Sequence, residues 1–149
     1  MEWDPVRQCD IFKHLDDEQF AHIQARLRYT TIAAGAVLYA EGEPADTVSI
    51  VVSGELQALK TSRLHQGKVV LCEFGPGDII GEMALMADPE RSATVKVNSH
   101  VELASFSRAD FGALERQRPD IALNILKGVL RILTQRLQDT SADLADQQL

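Results

Sequence analysis

Cysteine is nearly missing from this 149-residue chain, which has only Cys9 and Cys72, far apart and in unrelated contexts. A disulfide framework or a zinc site needs more thiols at ligand spacing, so neither is expected. Both cysteines read as buried or half-buried thiols that act as small hydrophobes. Basic residues are also in short supply, 15 Lys and Arg against 22 Asp and Glu, for a net charge of −7. That balance speaks against a nucleic-acid-binding surface, which needs clustered Lys and Arg, and against a polybasic membrane anchor. No apolar run approaches the ~20 residues of a membrane span. The first residues, MEWDPVRQCD, are too polar for a signal peptide. The expectation is a reduced, cytoplasmic protein. His14, His22, His65 and His100 are scattered, with neither metal-ligand spacing nor a partner cysteine for nucleophilic catalysis. No Gly-x-Ser-x-Gly elbow occurs. No catalytic residue, metal or enzymatic activity is therefore expected.

What is present is an ordinary globular composition, 45% hydrophobic and 25% charged, at the length of one domain able to bury its own core. Residues 10–29 read as helical: Asp16 can cap with Gln19 returning, Leu15 can staple, and Phe20, Ile23 and Leu27 recur at helical spacing. This helical part extends over about residues 5–29. From about 30 to 107 the segments become short, β-branched and punctuated by glycine. Val48, Ile50 and Val52 alternate, as do Leu56, Ala58 and Lys60, and Asn98-Ser99 marks a late turn. Regular short strands with glycine turns suggest a barrel or sandwich. Helical periodicity returns over about 108–138, with Ser107 and Asp110 as a capping-box-like start and Arg118-Pro119 as a break. Residues 139–149 form a polar tail expected to fray. A single domain covers 1–149.

The stretch Gly75-Pro-Gly-Asp-Ile-Ile-Gly-Glu-Met-Ala-Leu-Met-Ala-Asp-Pro-Glu-Arg-Ser-Ala-Thr-Val95 carries the chemistry. Residues 83–86 suit one helical turn, whose early N–H groups lack internal partners and favour an anion. Arg91 can add a charge-assisted, bidentate contact to phosphate. Glu82 accepts hydrogen bonds only, which suits a sugar hydroxyl, and Gly81 lets backbone approach a ligand without a Cβ. Together these describe a site for a small sugar phosphate with a free hydroxyl. The competing reading is a structural Glu82–Arg91 ion pair.

This segment resembles the phosphate-binding cassette of the cyclic-nucleotide-binding domain family, through Gly81-Glu82-Met83-Ala84-Leu85, Arg91-Ser92-Ala93-Thr94-Val95 and the nine-residue step from Glu82 to Arg91. Gly35, Gly42, Gly54 and the Gly75-Pro76-Gly77-Asp78 turn are further landmarks. The resemblance implies a mainly β fold with flanking α-helices: an eight-stranded jelly-roll-like barrel with an N-terminal helix, a C-terminal hinge and a long helix. It implies Glu82 on the ribose 2′-OH and Arg91 on the cyclic phosphate. Ser92 and the backbone N–H groups of Gly81, Glu82, Met83 and Ala84 would assist. Ile80 replaces an aromatic residue common at its position. Pro89 lies one position further from the arginine than usual, with Glu90 between, expected to face solvent. In the family, a hydroxyl residue after the arginine can contact guanine. Ser92 suits either base, and the reading favours cAMP, with cGMP and cyclic di-GMP as alternatives.

Leu123, Leu126, Leu130, Leu133, Leu137 and Leu144 form a heptad-type stripe, and Ile121, Ile125, Val129 and Ile132 a second apolar face. One is expected to pack on the barrel or the N-terminal helices, the other on a second copy, giving a homodimer. By the resemblance, this helix moves when nucleotide binds. Arg131, Arg136, Val70 and Cys72 are candidates to touch the base. The function expected is a nucleotide-binding regulatory module acting on an effector protein that the sequence does not name. The alternative is a nucleotide-independent dimerisation or interaction module with a degenerate site.

Overall fold

Capping boxes set helix starts on both sides of the β-region. The computed structural model describes residues 4–62, 64, 67–86 and 89–147. A single turn, α1 (Asp4–Arg7), precedes α2 (Asp17–Gln24). At the start of α2, Asp16 Oδ1 accepts from the Gln19 N–H at 2.8 Å, and Gln19 Oε1 accepts from the Asp16 N–H at 3.0 Å. The continuous helix expected over 10–29 is thus interrupted. A cap residue needs extended backbone, and Asp16 has it, with ψ at 174°. Turns before it bury Cys9, Ile11, Phe12 and Leu15. At the other end, the β-branched and aromatic residues of β1 (Arg28–Ile32) pair along β8 (Val101–Ser107) instead of extending the helix.

Between β1 and β8 run β2 (Val37–Tyr39), β3 (Thr47–Ser53), β4 (Leu56–Ser62), β5 (Gly67–Phe74), β6 (Ile79–Ile80) and β7 (Thr94–Val97). They form two antiparallel four-stranded sheets, β1-β8-β3-β6 and β2-β7-β4-β5, as the jelly-roll expectation requires. The alternation in β3 reads as one buried face, yet both faces are buried. Val48, Ile50 and Val52 join Phe12, Phe106 and Ile121 in a core beneath the helices. Val51 joins Leu56, Ile80, Val97 and Leu103 in a second core between the sheets. The sheet containing β3 is therefore a partition with an apolar layer on each side.

Ser107 caps α3 (Arg108–Gln117) with Asp110 returning, and Arg118 separates α3 from α4 (Pro119–Gln147). The long helix does not stop near 138. No Gly or Pro lies between 139 and 147 to end it. Local bonds support the extension: Thr140 Oγ1 donates to the Arg136 carbonyl at 2.9 Å, and Gln135 Nε2 to Asp139 at 3.0 Å. Ile121, Ile125 and Val129 are buried within the chain, whereas Leu123, Leu126, Leu130, Leu137 and Leu144 are exposed. Gly128 lets α4 lie tight on the N-terminal segment: a Cβ there would stand 2.6 Å from Ile11 Cα.

Candidate functional site

β6 hands the chain to Gly81, whose φ of 79° turns it into a 3-10 turn over Glu82–Leu85. The turn is one of 3-10 type. The Ala84 N–H donates to the Gly81 carbonyl at 2.9 Å, so that donor is used inside the turn. The N–H groups of Glu82 and Met83 precede this first bond. Gly81 is also a point of close approach: a Cβ would lie 2.3 Å from Arg91 Nη1 and 3.1 Å from the Thr47 carbonyl.

Arg91 is the centre of the site. Its backbone is fastened to the facing loop, with its N–H on the Glu43 carbonyl and its own carbonyl on the Gly42 N–H, each at 2.8 Å. The residue is 7% exposed. Nη2 donates to the Thr47 carbonyl at 3.0 Å, and the guanidinium carbon stands 3.5 Å above the Tyr39 ring centroid, a cation–π arrangement. Tyr39 is held in turn by a hydroxyl chain, Tyr39 to Ser49 at 3.0 Å and Ser49 to Ser105 at 2.8 Å. Arg91 Nε and Nη1 are buried and find no hydrogen-bond partner among the described residues. A buried cation with unused donors is costly to maintain unless something else satisfies it.

The cavity over Arg91 has a volume of about 160 Å³, smaller than the ~300–1,000 Å³ common for small-molecule sites. Gly81, Glu82, Met83, Arg91 and Ser92 line it, as do Cys72 and Arg136. Glu82 pairs with Arg136 of α4, whose Nη1 donates to Glu82 Oε1 and whose Nη2 donates to the Ile79 carbonyl at 3.3 Å. The Glu82–Arg91 pair weighed from the sequence is not what forms. Arg136 thus meets the 81–91 loop at a carboxylate, and links the second half of the long helix to the cavity.

The remaining expected residues are placed differently. Ala84 is buried beneath the turn and is not part of the cavity wall. Arg131 is exposed on α4 outside that wall. Val70 is exposed on β5, also outside it. Cys72 corrects the expectation of two buried or half-buried thiols: it is exposed, while Cys9 is buried. Desolvation raises both thiols above their ordinary range, Cys9 to about 12. For Cys72 the Arg136 charge acts in the opposite direction. Glu90 is exposed but also lines the cavity. Tyr39 and the Thr47 carbonyl were not anticipated, because β2 and β3 bring them from distant parts of the chain and no local spacing announces them. Among the described residues no cluster of His, Cys, Asp or Glu could hold a metal, and no helix is long and apolar enough to cross a membrane.

Residues 29–118 match the family model of the cyclic nucleotide-binding domain. The N-terminal domain of a transcriptional regulator from Streptomyces coelicolor A3(2) is 31% identical, with a TM-score of 0.78 and 95% of each chain covered. The regulatory domain of Toxoplasma gondii PKA, solved as a co-crystal with cAMP, is 32% identical at a TM-score of 0.67, over 74% of this chain and 41% of that one. Lysophospholipase nte1 of Aspergillus oryzae is 31% identical over 119 residues, 79% of this chain. The chain spans about 7% of the length of such curated relatives. The match to the family model over more than half of the chain agrees with the two-sheet barrel and its loop of Gly81, Glu82 and Arg91, and the chain belongs to the cyclic nucleotide-binding domain family.

Proposed function

We propose that the cavity over Arg91 binds a cyclic nucleoside monophosphate, cAMP in the first instance with cGMP as the alternative, and that the chain acts as a non-catalytic regulatory module. The phosphate takes the Arg91 donors, with Ser92 and the N–H groups of Glu82 and Met83 around it. The ribose hydroxyl takes Glu82. The base lies toward Cys72 and Arg136. The observation that carries this reading is the buried Arg91 guanidinium with Nε and Nη1 unpartnered. An anion delivered to those donors converts an unsatisfied buried cation into a charge-assisted pair. The adjacent Gly81 backbone leaves room that any Cβ would take.

Because Arg136 already holds Glu82 Oε1, a ligand hydroxyl competing for that oxygen changes the contact between the 81–91 loop and α4. That is the proposed route of the signal: nucleotide shifts the balance of α4 positions. The exposed leucine stripe of α4 supports a second copy as the first recipient; an effector protein beyond it and a cytoplasmic setting belong to the same proposal. The stripe also supports the second reading, an interaction module indifferent to nucleotide.

Calorimetric titration of cAMP and cGMP into protein refolded free of bound ligand decides between these readings. Saturation near one nucleotide per chain, lost in Arg91→Ala with the fold retained, is the expected result. A folded protein that binds neither nucleotide would overturn this reading and leave an interaction module or a different ligand as the better account.

A further inference from the structure

Among the described residues, four charged ones line the cavity: Glu82, Glu90, Arg91 and Arg136. Their formal charges cancel. Glu82 and Arg136 are paired with each other, which leaves Arg91, buried and short of acceptors, beside Glu90. Glu90 precedes Arg91 directly and forms no salt bridge among the described residues. Its position is fixed. The chain on either side is fastened to the 42–45 loop by Pro89 O to Ala45 N at 3.2 Å and Arg91 N to Glu43 O at 2.8 Å, and Glu90 itself bridges Pro44. Those bonds fix the backbone, and the exposed Glu90 carboxylate at the mouth acts on whatever charge enters. A phosphodiester carries one negative charge, which Arg91 matches. A terminal phosphomonoester carries nearly two at neutral pH, and the second meets Glu90 with no unpaired cation to offset it.

We propose that Glu90 is a specificity-determining residue that sets the site for a singly charged phosphodiester and against a doubly charged phosphomonoester. This rests on the reading of the cavity as a nucleotide site. Glu90 acts through its charge and contributes no contact that a phosphodiester needs. The discrimination it adds is one charge–charge interaction across the cavity mouth, about fivefold in affinity for charges roughly 8 Å apart at an effective dielectric between protein surface and water.

The test titrates three probes at pH 7.5 into the wild-type chain, Glu90→Gln and Glu43→Gln: cAMP, adenosine 5′-monophosphate, and the methyl ester of that monophosphate. The last two share a shape and differ by about one charge. Glu43→Gln removes the same charge from the neighbouring exposed loop, outside the cavity wall. The expected result is that Glu90→Gln narrows the gap between the monophosphate and its methyl ester about fivefold, while Glu43→Gln narrows it by less than half of that. A gap unchanged in Glu90→Gln, or narrowed equally by both variants, with cAMP still bound by the wild type, overturns the role of Glu90 and leaves the nucleotide site standing. Failure of all three probes to bind any of the three folded proteins overturns both.

Discussion

Two arginines in this chain are handled in opposite ways. Arg118, at the corner where α3 meets α4, is surrounded by acceptors. It donates to both carboxylate oxygens of Glu18, with Nη2 to Oε2 at 2.9 Å, and to both of Asp120, at 3.1 and 2.9 Å. Those carboxyls are held below their ordinary range by the guanidinium, and the guanidinium above its own by them. Arg91 is more deeply buried, yet has one carbonyl and one aromatic face. The corner spends its cation on fastening α2 to the start of α4. The cassette keeps a cation short of partners in a cavity. A folded chain normally pairs its buried charges, and this exception is what supports the proposal that an acceptor for Arg91 comes from outside.

The largest expected effect follows from replacing each arginine with the near-isosteric, uncharged methionine. Arg91→Met removes two unused charged donors, so nucleotide affinity is expected to fall by about a hundredfold or more. Its melting temperature without ligand should stay the same or rise, since an apolar residue replaces an unsatisfied buried cation. Arg118→Met should behave in reverse, with a lower melting temperature and affinity kept. Calorimetry and thermal melts of both variants read the four outcomes. An Arg91→Met protein that is strongly destabilised without ligand would show that Arg91 belongs to the scaffold, as Arg118 does.

Glycines sharpen the same contrast on an intermediate scale. At Gly128 a Cβ meets backbone, Ile11 Cα at 2.6 Å and the Asp10 carbonyl at 2.9 Å. Neither can swing away, so Gly128→Ala should cost about 1–3 kcal/mol by forcing α4 off the N-terminal segment. At Gly81 the nearest atom is the end of the Arg91 side chain, and the positive φ adds about 1 kcal/mol of backbone strain for alanine. Gly81→Ala should therefore show its main effect in ligand affinity, because the guanidinium must move. Denaturant midpoints compared with titrations separate the two. Equal destabilisation with equal loss of affinity in both variants would mean that the scaffold and the site are not separable.

What could be read from the sequence divides along the same line. Gly81, Glu82, Arg91 and Ser92 lie in one short stretch, so local spacing reveals them. Both capping boxes are legible for the same reason, being contacts between residues three apart. Tyr39 and Thr47 reach Arg91 only through the antiparallel pairing that sets β2 beside β7 and the burial of β3 between two cores. No pattern near either residue foretells this. The Arg136–Glu82 contact depends on where a helix starting at Pro119 arrives after several turns, which is a question of packing on Ile11 through Gly128. The exposure of Cys72 follows from β5 being the outer strand of its sheet, and strand order is not written in a strand's own residues.

The smallest expected effect is in acid, and it tests whether Arg91 truly lacks a carboxylate. Glu18 and Asp120 have their carboxyls held down by hydrogen bonds and charge from Arg118. A carboxyl lowered on folding contributes stability that is fully present above its unfolded value, near pH 4, and is lost as pH falls through the folded one. The wild type should thus lose part of its thermal stability as pH drops below about 4. Asp120→Asn, already without one of these charges, should lose less over the same interval, and Arg118→Met less still because both carboxyls then return toward their ordinary values. Arg91→Met should follow the wild-type acid profile, since among the described residues no carboxylate is bonded to Arg91. Melting curves from pH 7 to pH 3 give all four profiles. If Arg91→Met flattened as Asp120→Asn does, Arg91 would have an internal acid partner, and the contrast between the two arginines would be one of degree only.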